Sequence, residues 1–151
     1  GEDVQVRAAA AAAGLAEAIR WAGFVPFEQL PAVLRLADVA IYPIDDTLIN
    51  RSKAPMKLLE VLALGLPVVA EAVGETREYI EPGVSGRLVE AGDTAALAAA
   101  VAQVATCPAE QRRLGEAARA RVWRRYDWAG LVEEVEVAYA QATGSSERLS
   151  D

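Results

Sequence analysis

The 151-residue sequence has no histidine, one cysteine, one methionine and two phenylalanines. Without histidine, Cys/His zinc centres, a Ser-His-Asp triad and imidazole acid–base chemistry inside this chain are excluded. A lone cysteine, Cys107, excludes an internal disulfide framework. Positive charge is also scarce: 15 Lys and Arg stand against 22 Asp and Glu, a net charge of −7 that disfavours non-specific nucleic-acid binding. The arginines from Arg112 to Arg125 alternate with Glu116 and alanines after Glu110, the pattern of a solvated helix face. No uninterrupted apolar run reaches 18 residues, the length at which a bilayer-spanning helix comes into question. The run Ala8–Ala13 lacks the leucine-rich core of an export signal, so it reads as helix and the chain as cytoplasmic. What is present, 53% hydrophobic and 25% charged residues, suits one soluble globular domain with its own core.

Apolar runs and turn residues alternate along the chain. The pattern predicts a helix over Val4–Ala13 ended by Gly14, a strand over Ile19–Val25 closed by Pro26, and a helix over Phe27–Ala37. A strand over Val39–Ile44 follows, then a polar loop, Asp45–Ala54. Pro55 opens and Gly65 closes a helix over Pro55–Leu64, the proline-first, glycine-last asymmetry of helices. Further strands are expected at Pro67–Ala70 and Gly86–Val89, with a brief helix or turn at Gly74–Ile80 and a turn at Pro82-Gly83 between them. Helices capped near Asp93 or Thr94, started by Pro108 and capped by Asp127 complete the domain to about residue 143, and 144–151 reads as a disordered tail. Four strands alternating with helices predict an α/β domain: a parallel, Rossmann-like sheet with helices on both faces, short of the usual six strands. Ligands of such sheets bind where strand C-terminal ends meet helix N-termini, here Asp45–Pro55 and the turns after Phe24 and Ala70.

Two segments in that region carry candidate chemistry. Glu60 lies among Leu58, Leu59, Val61 and Leu62, and a carboxylate buried by such neighbours costs several kcal/mol unless hydrogen-bonded. Its partner is either Lys57, three residues earlier, or an external ligand with paired hydroxyls such as a ribose diol. The segment Arg51-Ser52-Lys53-Ala54-Pro55-Met56-Lys57 holds three cations, including both lysines of the chain, and leads into a helix N-terminus, where free amides and the dipole favour an anion. It is either a phosphate site or an exposed basic loop. Gly74 reads as a turn, Trp21 as core packing, Cys107 as structural, and Asp45 and Asp46 as turn formers.

Three stretches, GFVPFEQLPAVLRLADVAIYPI, KAPMKLLEVLALGLPVVAEAVGETREYI and GVSGRLVEAGD, together resemble the C-terminal domain of retaining group 1 glycosyltransferases with the two-Rossmann GT-B architecture, the family 4 type. The resemblance runs from about Gly1 to Ala142 and is most specific in the middle stretch. It favours the ligand reading of Glu60, which matches the second glutamate of the family's E-x7-E motif, the acceptor of hydrogen bonds from the nucleotide ribose. Ser52 falls where the first glutamate would stand, so the chain is closer to subgroups with a P-x-K-x-x-E pattern, here Pro55, Lys57 and Glu60. The resemblance further implies that the amides around Ala54, Pro55 and Met56 meet the diphosphate with help from Lys57, and that Phe24 and Val25 border the base.

The implied chemistry is sugar transfer from a UDP- or GDP-linked donor with retained anomeric configuration, without a metal or other cofactor. No residue here matches a catalytic one. The family's domain begins with a strand, a glycine-arginine turn and a lysine-bearing helix, and works beside an acceptor domain that could also make a peripheral membrane contact. The chain is therefore expected to be a fragment or a solitary half-domain, inactive alone. In the family's strand order, 3-2-1-4-5-6, the strand at Ile19–Val25 would be cut off from the others, which predicts homo-oligomers through strand exchange or open sheet edges. The alternatives are a non-catalytic, self-associating module and half of a sugar-nucleotide epimerase.

Overall fold

The computed structural model describes residues 2–143; the expected tail at 144–151 lies outside the described residues. The chain divides into two compact units, Gly1–Pro31 and Ala32–Asp151. In the first, helix α1 (Glu2–Ala12) ends at Gly14, which takes a left-handed φ of 71°. A 3-10 turn (Ala16–Ala18) follows, where Arg20 donates to the Glu17 carbonyl, and a second spans Phe27–Gln29. The expected strand at Ile19–Val25 does not form: the segment is mostly exposed and has no strand partner among the described residues. An apolar run becomes a strand only when another strand satisfies its backbone, and here none does. Trp21 is accordingly not a core residue; it stays partly exposed, with the Arg7 guanidinium 4.0 Å from its ring centroid.

The second unit starts within helix α2 (Leu30–Leu34) and contains a parallel sheet. Three strands form among the described residues where four were expected: β1 (Ala40–Tyr42), β2 (Val68–Glu71) and β3 (Arg87–Val89), in the order β1-β2-β3. Ala40 pairs with Val68 and Tyr42 with Ala70 on one side of β2, and Ala70 with Leu88 and Glu71 with Val89 on the other. With no strand at 19–25, the expected gap in the sheet does not arise, and β1 and β3 are its edges.

β2 is buried along its whole length, so both of its faces need cover. Val68 and Ala70 join Leu58, Leu59 and Leu62 of helix α4 (Met56–Ala63), Tyr79 of the short helix α5 (Thr76–Tyr79), Ile80, and Ala118 of helix α7 (Pro108–Arg125). On the opposite face Val69 packs with Leu114 and with Val104 of helix α6 (Thr94–Ala105). Each fully buried leucine, Leu62 for example, contributes about 1.5–3 kcal/mol. Arg121 closes the packing by donating to the Glu78 and Tyr79 carbonyls at the end of α5, and the Tyr79 and Tyr126 rings meet edge to face 5.3 Å apart. Helix α8 (Trp128–Thr143) follows.

α4 and α7 come together through a glycine pair. Gly65, past the end of α4, has φ 76°, and its carbonyl lies where a side chain at Gly115 would begin. Gly115→Ala is therefore expected to destabilise the fold by about 1–3 kcal/mol, the scale of overpacking. Gly130 on α8 has open space around it, so Gly130→Ala should be neutral or slightly stabilising. Equal melting temperatures for the two variants would contradict this account of the α4–α7 contact.

Candidate functional site at the C-terminal edge of the sheet

Because the strands are parallel, their C-terminal ends emerge along one edge. The segments that follow Tyr42, Glu71 and Val89 are gathered there. Glu71 ties them together. It ends β2 with only 7% of its surface exposed, and its two carboxylate oxygens accept from the Ile44 amide at 2.6 Å and the Gly92 amide at 2.8 Å. A carboxylate in such a place is tolerated because charge-assisted hydrogen bonds replace its lost water. The sequence reading missed this residue; its one signal is a charge set inside the apolar stretch Pro67–Val73.

The expected loop at Asp45–Ala54 contains a five-residue helix, α3 (Leu48–Ser52). Thr47 caps it by accepting from the Asn50 amide, and the Asn50 side chain donates to the Asp45 carbonyl at 2.8 Å. Asp46 is more than a turn former: Arg51 grips its carboxylate through two nitrogens, Nε and Nη2. That hydrogen-bonded guanidinium holds the Asp46 carboxyl below the ordinary aspartate range. One of the three expected anion-seeking cations is thus already neutralised. Ser52 is engaged as well, its hydroxyl donating to the Leu48 carbonyl at 2.9 Å. The end of α3 presses on the turn after β2. Gly74 has φ 50°, and a Cβ there would stand 2.7 Å from the Arg51 carbonyl oxygen, so close approach does require glycine at this turn. Thr76 fixes the same turn by accepting from the Val73 amide and donating to the Glu71 carbonyl.

α4 begins directly after this assembly. Its N-cap, Pro55, offers no side-chain cap, unlike Thr47 on α3 or Asp93 on α6, and its first turn holds no acidic residue. α7 also starts without a side-chain cap, but Glu110 sits in its first turn and would repel an anion. Lys53 and Lys57 are exposed beside the α4 start. Glu60 corrects the sequence reading: it is exposed, and no ion pair joins it to Lys57 among the described residues. At about 100° per residue, Leu58, Leu59 and Leu62 take one side of the helix, while Met56, Lys57 and Glu60 share the other and face solvent. Glu60 is thus available one turn in from the open helix end.

Of the remaining expected site residues, Ala54 is exposed and Pro55 buried within the same segment, whereas Phe24 and Val25 belong to the first unit, with Phe24 almost fully exposed. Cys107 is exposed and free. Among the described residues no three His, Cys, Asp or Glu side chains gather as metal ligands, and no helix is long and apolar enough to cross a membrane. A cleft of about 560 Å³ lies apart from this edge, at the α7–α8 junction, lined by Arg124, Arg125 and Glu134 among others.

A parallel α/β sheet with a cationic, uncapped helix start at its C-terminal edge has the build of the second half of the GT-B architecture. The chain belongs to the glycosyl transferases group 1 family, whose family model matches residues 1–121. It is 34% identical over 149 residues to a phosphatidyl-myo-inositol mannosyltransferase of Mycobacterium leprae, covering 99% of this chain and 38% of that protein. It is 36% identical over 138 residues to a D-inositol 3-phosphate glycosyltransferase of Geodermatophilus obscurus, covering 91% of this chain and 29% of that protein. The chain thus spans about a third of the length of these curated relatives. Among solved structures it is similar to sucrose-phosphate synthase from Thermosynechococcus elongatus, with TM-score 0.75 and 26% identity over 96% of this chain and 35% of that one. HepE of Anabaena, solved in complex with UDP and glucose, shares the fold at TM-score 0.78 and 19% identity over 91% of this chain and 36% of that one.

The Asp46–Arg51 pair can be tested directly. A carboxyl held low by its partner contributes stability above the unfolded aspartate pKa and loses it as pH falls through the folded one. In an NMR titration, Asp46 should protonate below the ordinary value of about 3.9, and Arg51→Ala should bring the midpoint up to it. An unchanged midpoint in the variant would show that Arg51 is not the cause.

Proposed function

We propose that this chain is the nucleotide-diphosphate-sugar-binding part of a retaining glycosyltransferase. The observation that carries the reading is the exposed Glu60, on a helix whose other side is packed leucine, one turn from an uncapped end flanked by Lys53 and Lys57. On this reading the Glu60 carboxylate accepts hydrogen bonds from the ribose hydroxyls. The amides at Ala54, Pro55 and Met56 need qualification: Pro55 has no N–H and the Met56 amide donates to the Ala54 carbonyl at 3.0 Å, so the donor to the diphosphate is the Ala54 amide, with Lys57 and Lys53 adding charge. The helix end and the lysines would oppose the negative charge that develops as the diphosphate departs. Ser52 supplies no carboxylate near the donor sugar. The UDP bound to HepE, which shares this fold, supports a nucleotide ligand. Acceptor binding and the catalytic group would come from a separate domain, so the chain alone should turn nothing over, and the reaction would run in the cytoplasm without a metal cofactor.

A second reading, a self-associating module, draws on β1, an edge strand whose central residue Ile41 is 53% exposed. Calorimetric titration with UDP and GDP separates the two. Saturable binding of one of them, weakened roughly 10- to 100-fold by Glu60→Ala, is expected, since hydrogen bonds to a charged group contribute about 1.5–3 kcal/mol. No binding, together with dimers at every concentration, would favour the module instead.

A further inference from the structure

We infer that Glu71 is a positioning residue for the nucleotide site, an inference that rests on the nucleotide-binding reading above. Glu71 lies at the end of β2 and is not among the residues expected to touch the ligand. Its reach is through backbone. The segment from Ile44 to Arg51 is pinned to the end of β2 at two places. At one, the Ile44 amide donates to the Glu71 carboxylate at 2.6 Å. At the other, the Arg51 backbone rests against Gly74. α3 is bracketed between these anchors, its own turn closed by Thr47 and Asn50. The chain leaves the second anchor straight into Lys53 and the open end of α4.

The location of the Ala54 amide and of Lys53 is therefore set by what holds residues 44–51. The second Glu71 oxygen ties the same carboxylate to Gly92, so it cannot turn toward Ile44 or away from it independently. The assembly is preorganised by a buried charge whose two acceptors are both used, and preorganised donors lose little on meeting an anion. Loosening one anchor leaves the core of leucines and valines intact while letting the segment that carries Lys53 and Ala54 into the helix drift.

Glu71→Gln keeps the shape and volume but offers an amide N–H₂ to one of the two backbone donors. Hydrogen exchange on the variant should quicken at whichever of Ile44 and Gly92 faces the N–H₂ while Val69 and Ala70 stay protected, and UDP affinity should fall about tenfold, as small misplacements of binding groups do. Gly74→Ala, which shifts the other anchor and leaves Glu71 in place, should weaken UDP binding in the same way. If Glu71→Gln frees either amide or Gly74→Ala displaces α3, and UDP still binds with parental affinity, the positioning role is wrong and the nucleotide reading stands. If the parent chain binds neither UDP nor GDP, both fall together.

Discussion

The organisation of the second unit turns on one buried carboxylate. Hydrophobic packing on both faces of β2 holds the sheet to its helices, but it does not dictate how the irregular segments at the strand ends are arranged. Glu71 does: with one oxygen on the segment after β1 and the other on the turn after β3, it couples all three strand ends through the central one. Removing a buried charge from water is tolerable only when its hydrogen-bonding capacity is met, so the requirement runs both ways. The loops satisfy the carboxylate, and the carboxylate fixes the loops.

α4 illustrates how one helix serves core and surface at once. Leu58, Leu59 and Leu62 seal the sheet, and the glycine pair Gly65–Gly115 lets α7 approach the helix's end closely. This packing leaves the opposite side free of structural duty, and Met56, Lys57 and Glu60 occupy it. A helix fixed so firmly along one side can present polar groups on the other with little motion, the condition for a carboxylate and a set of amides to act on one ligand.

Much of this was legible in the sequence. β1, β2 and β3 announce themselves as short β-branched or apolar runs bounded by glycine or proline, and α4 by its proline and glycine ends. Ile19–Val25 carries the same signals yet is no strand, because a strand is defined by pairing, which a local pattern does not contain. α3 is too short for a 3.6-residue period to show, and its signal is only Thr47 ahead of two apolar residues. The sequence neighbours of Glu60 suggest burial; on the helix those neighbours point the other way. Glu71 was invisible for a related reason: its partners are backbone amides 27 and 21 residues away, and no side-chain pattern marks them.

The charge balance of the candidate site follows from the same details. In a chain of net charge −7, a phosphate-seeking surface must be a local exception. Asp46 cancels Arg51, and Ser52 turns its hydroxyl back onto its own helix where a second carboxylate would have added negative charge. What is left around the start of α4 is Lys53, Lys57 and the helix's own positive end, with Glu60 a turn further along. Positive charge at the tip and a single acceptor deeper in is the order in which a diphosphate and the ribose attached to it would need to be met. On the proposed reading, the serine at position 52 does more than omit a glutamate: it would leave the cationic end without a second carboxylate, so that the lysines would set the character of the site.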